Sequence, residues 1–211
     1  MGIPNGYFIK MERTEHFIKS ELLLRNLINL TEETNRRVTL DGDEAEFFLE
    51  NTNIFVKSYM VLMCAYLESY AKSVVKFYIV SVNSYLIERK LPKNLLRWSI
   101  LKDKYKHSVD GINDDFMLSI SDDDVDKNLS ANPYKTVPFF YRLGINLEDI
   151  EEYLQLKEQV ETLVNKRNEI VHHNDDASDL TFIDVKDRAL LLIRYMTIID
   201  DAVLNNVRKF L

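Results

Sequence analysis

Cysteine is almost absent from this sequence: among 211 residues there is one, Cys64. A disulfide framework or a thiolate metal site within one chain is thereby excluded, and a lone Cys inside the apolar stretch 59–67 reads as a small core residue. Glycine (5) and proline (4) are scarce as well, which disfavours a many-turned β-sandwich and favours long helices. No long hydrophobic run is present. The longest uncharged one, 59–67, is about half of the ~20 residues that a membrane span needs, and Lys57 and Glu68 close it. The sequence opens on no basic-then-apolar leader pattern, so a cytoplasmic location is expected. An excess of positive charge is missing too. A net charge of −7 excludes a generally basic nucleic-acid coat and leaves room only for a local patch. No period repeats, so the chain is no solenoid.

What is there is helical periodicity. Residues 1–10 read as a loose arm, and residues 11–38 as a helix with Phe17, Leu24, Leu27, Ile28 and Leu30 on its inner stripe. A turn at 39–43 follows, with Asp43 as the N-cap of the next tract. That tract, about 44–88, is apolar most of the way round, as the central helix of a bundle is; a bend or break is expected at 51–53. Pro92 ends it, and 94–106 reads as a short amphipathic helix carrying Trp98. Residues 108–133 look irregular and solvated. The acidic run 121–126 resembles a calcium loop in spacing, but the sixth-place Gly and twelfth-place Glu are missing. No metal and no cofactor is assigned.

Asn132-Pro133 opens another short helix through Phe139, Phe140 and Leu143, stopped by Gly144 at its C′ position. A helix over 148–172 carries acids in its first turn and Lys166-Arg167 in its last, which suits the macrodipole. Thr181, with Asp184 three residues on, caps a final helix whose apolar spacing runs from Phe182 to Phe210. The expected fold is all-α: one domain over 1–211, an up-down bundle of four main helices with short helical insertions, and a variable insertion at about 92–147.

The stretch 163–174, L-V-N-K-R-N-E-I-V-H-H-N, is the one that looks like a site. Tyr153, Leu156, Val160 and Leu163 form an apolar seam, and the next seats on it are Arg167 and Ile170. A guanidinium thus occupies a position that the rhythm assigns to a buried face. Burying it unpaired costs several kcal/mol, roughly, so it must meet a partner, a phosphate or a wet cavity. Arg167 and His172 lie five residues apart, ~140° around a regular helix, and point the same way only if the helix ends or a second subunit supplies the partner group. Asn168 and His172 share a face and Asn168 is placed to orient the ring.

Two plainer roles stay open: Arg167 paired with an acid, and His172-His173 as a polar C-terminal cap. Glu68 is either a rim acid paired with Lys72 at i+4 or a carboxylate that holds Arg167 or a histidine across the bundle. Asp175 and Asp176 lie close enough in sequence to raise an imidazole pKa. His16 and His107 are lone histidines, read as surface residues. Lys166 and Arg167, with Arg194, Arg208 and Lys209 on the last helix, are the cations available for a local patch, their faces not being set by the sequence.

The helix order, the internal Glu68 and the ending Leu-Val-x-x-Arg-Asn-x-Ile-x-His resemble the HEPN superfamily, in particular bacterial HEPN-like nucleases near the RiboL-PSP-HEPN branch. The superfamily's Arg-x4-6-His signature falls on Arg167 and His172, and its polar residue after the Arg on Asn168. The usual small-residue-His-Gly ending is here Val171-His172-His173, so either imidazole fits the spacing. The resemblance implies metal-independent endoribonuclease activity at a composite Arg/His cleft between two subunits, leaving 2′,3′-cyclic phosphate and 5′-hydroxyl ends. It also implies RNA as substrate, a homodimer, and a toxin or defence role held off by an antitoxin or other regulatory protein. The alternative is a catalytically inactive HEPN-like module that binds nucleotide or a protein partner, because fold does not fix function.

Overall fold

The first and last long helices begin where a threonine can accept an orphan backbone N–H. Thr14 Oγ1 accepts from Phe17 N at 3.1 Å and opens α1 (Glu15–Val38). Thr181 and Asp184 form the expected reciprocal capping box at the start of α8 (Phe182–Arg208). The computed structural model describes residues 11–102, 114–173 and 177–210. Between these two helices lie α2 (Asp43–Glu50), α3 (Thr52–Arg89), α4 (Lys93–Leu101), α5 (Asp122–Asn128), α6 (Pro133–Arg142) and α7 (Glu151–His172), with a 3-10 turn at Leu147–Asp149 ahead of α7. The fold is all-α. No helix among the described residues is long and apolar enough to cross a membrane.

The expected break falls at Asn51, between α2 and α3. Asn51 Nδ2 donates to the Phe47 carbonyl at 2.8 Å and Thr52 Oγ1 to the Phe48 carbonyl at 3.0 Å. Such side chains compete with the helical ladder. The cap of α2 differs from expectation. Gly42, at φ 101°, is the N-cap and Asp43 is the first helical residue, because that backbone conformation suits only glycine. Lys90, in the left-handed region, ends α3 two residues before Pro92.

Residues 121–126 are not irregular, as expected, but open a helix. Ser121 and Asp124 build a second reciprocal capping box, and three acids in the first turn of α5 favour its positive end. Val125 is buried, and Lys76 of α3 pairs with Asp126 at 3.2 Å and Asp122 at 3.4 Å. The insertion is therefore pinned onto α3. Leu129 and Ala131 continue the buried run up to Asn132, whose Oδ1 accepts from Tyr134 N at 2.9 Å to start α6. Gly144, at φ 78°, follows the end of α6 as expected. The part of the Trp98 helix expected beyond 102, and His107, lie outside the described residues.

Four long helices pack together: α1 against α3 and α8, α3 against α8 and α7, and α7 against α8. The α1 stripe of Phe17, Leu24, Leu27 and Ile28 is buried, whereas Leu30 faces outward. Two polar ties fix the relative placement. Asp200 of α8 is fully buried and accepts from Thr14 N at 3.0 Å and Thr14 Oγ1 at 2.6 Å. Tyr70 of α3 donates to the same carboxylate at 3.3 Å and to the Met196 carbonyl at 3.0 Å. Tyr153 of α7 and Tyr195 of α8 stack with ring centroids 5.1 Å apart and share a hydroxyl–hydroxyl hydrogen bond of 2.7 Å.

Removing the Asp200 carboxylate takes the acceptor from three donors on two other elements, Thr14 N and Oγ1 and the Tyr70 hydroxyl, the last of which keeps the Met196 carbonyl. We predict that Asp200→Ala lowers the unfolding free energy by about 3 kcal/mol in chemical denaturation. Burial raises the Asp200 pKa above the ordinary carboxylate value, against the hydrogen bonds from Thr14. The folded state therefore holds this proton more tightly than the unfolded chain. That contribution to stability is lost as pH rises from the ordinary carboxylate range through the folded value, and Asp200→Asn should remove this part of the pH dependence.

Candidate functional site

The apolar seats of α7, Tyr153, Leu156, Val160, Leu163 and Ile170, are all buried. Arg167 sits between the last two and is only half-buried. The cost of placing a charge on that seam is met by an opening. A cavity of about 200 Å³ is lined by Cys64 and Glu68 of α3, Ser130 to Asn132 and Lys135 of the insertion, and Val164, Arg167 and Asn168 of α7. A cavity, one of the three surroundings expected for the guanidinium, adjoins it.

Within it Arg167 Nη1 donates to Asn168 Oδ1 at 3.0 Å, while the Arg167 Nε is buried without a hydrogen-bond partner. Glu68 lines the same cavity, but its ion pair is with Lys72 at 2.7 Å, the plainer of the two roles expected for it. No ion pair among the described residues joins Glu68 to Arg167. Asn168 thus engages one end of the guanidinium, and the Nε–H at its other side has no acceptor among the described residues.

Cys64 forms part of the cavity wall and is 2% exposed. Burial pushes its thiol up to about 12, while the charges of Arg167 and Arg188 pull the other way. Two guanidiniums therefore lie close to this one thiol. Arg188, on α8, has its Nη1 4.0 Å from Met60 Sδ. Sequence reasoning passed over it, although it sits one seat before the buried Ala189.

His172 is the last residue of α7 and His173 is its C-cap; both imidazoles are exposed, and neither lines the Arg167 cavity. Asn168, expected to orient His172, gives its amide oxygen to Arg167 instead. The structure brings together Arg167, Asn168 and Glu68, and leaves His172 and His173 on the open end of the helix. Asp175 and Asp176 lie outside the described residues. His16, expected at the surface, is half-buried with its ring edge on Phe77 at 6.0 Å.

Most cations expected to form a patch are otherwise engaged. Lys166 pairs with Asp179 at 2.7 Å, Arg208 donates to the Met11 carbonyl at 2.7 Å, and Lys209 donates to Asn206 at 3.0 Å. The cation that the cavity does include is Lys135, which sequence reasoning missed. No local signal could have found it, because only the packing of the insertion on α3 brings it near Arg167.

A sequence model of one family, RiboL-PSP-HEPN, matches residues 15–205, nearly the whole chain. The chain belongs to the RiboL-PSP-HEPN family. That assignment agrees with the all-α fold and covers α1 and α7 in full. No curated protein and no solved structure matches this chain.

Cys64 is a buried part of the cavity wall. We predict that Cys64 in the folded protein resists alkylation at neutral pH, with about a thousandfold less thiolate than an ordinary cysteine, and reacts fully once unfolded. Mass spectrometry after a timed iodoacetamide pulse, with and without denaturant, measures this.

Proposed function

We propose that this HEPN protein is a metal-independent endoribonuclease whose working site is completed by a second copy of the chain. The observation that supports it best is Arg167: a permanent cation on an apolar seam, facing a cavity, with a buried N–H left unpartnered. Such a group suits a phosphate, whose oxygens can accept from a planar guanidinium fork.

The chemistry needs a second group that moves protons at neutral pH, and an imidazole is the side chain suited to that. In the proposed reaction the imidazole takes the proton of the ribose 2′-hydroxyl. The 2′-oxygen attacks phosphorus and the bond from phosphorus to the 5′-oxygen breaks. The products are a 2′,3′-cyclic phosphate and a 5′-hydroxyl, with a proton delivered to the leaving oxygen. Arg167 offsets the charge gathered on the phosphoryl oxygens in the transition state.

In one chain Arg167 and His172 point ~140° apart on α7, which favours a site built from Arg167 of one copy and an imidazole of the other. Beside the site, α3 and α7 leave Ile54, Leu62 and Val171 exposed, the last two at 37% and 47%. Ser58, Ala65 and Ser69 share the outward positions of α3 with them. A central helix that exposes apolar and small residues at 3-4 spacing can accept a second copy at close range. An unrestrained ribonuclease damages the cell that makes it, so a regulatory protein partner belongs to the same proposal.

With EDTA present, the purified protein should cut total or transfer RNA and leave cyclic-phosphate ends. Arg167→Ala and His172→Ala should each slow cutting by at least ~100-fold. Cutting that survives His172→Ala but not His173→Ala would assign the imidazole to His173. A folded protein that binds RNA or nucleotide and never cuts would favour the catalytically silent module instead.

A further inference from the structure

The cavity at Arg167 does not end at α7. Lys135 lines it and also lines a second opening of about 260 Å³, walled by Lys127, Asn128, Tyr134, Pro138, Phe139 and Arg142. One lysine is therefore shared by two adjacent depressions. Lys135 and Arg142 are seven residues apart on α6, nearly two full turns, so both project from one side of that helix. Both are exposed, and neither forms an ion pair among the described residues. The cations beside them are held by carboxylates: Lys127 is paired with Asp123, and Lys72 with Glu68. Arg167, Lys135 and Arg142 have no ion pair among the described residues, and the two openings that share Lys135 join them.

An aromatic ring accompanies them. Tyr134 is 62% exposed, lines the same second opening, and has Lys157 Nζ 5.6 Å from its ring centroid. Unmatched cations interleaved with an open aromatic ring fit single-stranded nucleic acid, because cations follow the phosphates and any base can stack on the ring. An acidic peptide would satisfy the cations but would leave the ring without a role.

We propose that α6 is a docking track for single-stranded RNA. The strand flanking the phosphate at Arg167 runs over Lys135 towards Arg142, with one base on Tyr134. This deepens the nuclease reading and rests on it for the identity of the ligand. The insertion then has a function of its own: it supplies the substrate contacts that α7 lacks. Glu68 lines the first opening, and Lys127 of the second is held by Asp123, so carboxylates flank the track, which favours a single strand over a duplex.

The test is binding of a short, fully 2′-O-methylated single-stranded RNA, which cannot be cleaved through its 2′-oxygen, across about 50–200 mM salt. Lys135→Ala/Arg142→Ala should weaken binding and flatten the salt dependence by about 0.7 per lost phosphate contact, ~1.4 in the double variant. Tyr134→Ala should weaken binding about fivefold or more with the slope kept. Lys19→Ala on α1, which removes a charge elsewhere, should change neither, and thermal melts should show all variants folded. Unchanged affinity and slope in the double variant would overturn the track, as would a failure to bind RNA or equal binding of an oligoglutamate of the same charge. RNA binding with the predicted losses but no cutting of natural RNA by the unaltered chain would uphold the track and refute the nuclease reading. Cutting with a neutral double variant would do the reverse.

Discussion

Asp200 places a carboxylate where water does not reach it, and the hydrogen bonds it requires come from two other elements. Thr14, the cap of α1, gives two and Tyr70 of α3 gives one. A buried charge is tolerable only when such donors surround it, so α1, α3 and α8 can come together in one arrangement. The stacked pair Tyr153–Tyr195 then sets α7 against α8. With α3 and α7 both held by α8, the last turns of α7 lie over Cys64 and Glu68. The position of Arg167 is thus decided by polar ties buried well away from it.

The second constraint is the mismatch at Arg167 itself. Every other seat on that seam is apolar and buried. A guanidinium there cannot be covered without a partner, and no acid among the described residues pairs with it, the nearby Glu68 being held by Lys72. The packing yields instead, leaving an opening into which the residues of the insertion reach. Family membership and this local exception to the core pattern are what the proposed site for an anionic ligand rests on.

Much of this was legible in the sequence where a local rule decides it. The Thr181–Asp184 box, the Asn132-Pro133 start, the Gly144 stop and the break at Asn51 follow from side chains that bond their own backbone. The misfit of Arg167 followed from helical period alone. Three things did not follow. The acids of the run at 121–126 are exposed, as their charge suggests, but the run is not irregular: its acids serve a capping box and a pair of contacts to Lys76. Asn168 was matched to His172 by spacing, whereas its neighbour Arg167 reaches it first. Lys135 gave no signal at all, because its role depends on how the insertion lies across α3, a contact between segments far apart in sequence.

The central claim is that Arg167 and the imidazole act on one phosphate from two copies of the chain. Mixing the Arg167→Ala and His172→Ala proteins under exchange conditions tests it directly, because a mixed dimer rebuilds one intact pair. The account predicts that two inactive preparations regain RNA cleavage when mixed. Continued inactivity of the mixture, beside an active unaltered protein and verified subunit exchange, would contradict it.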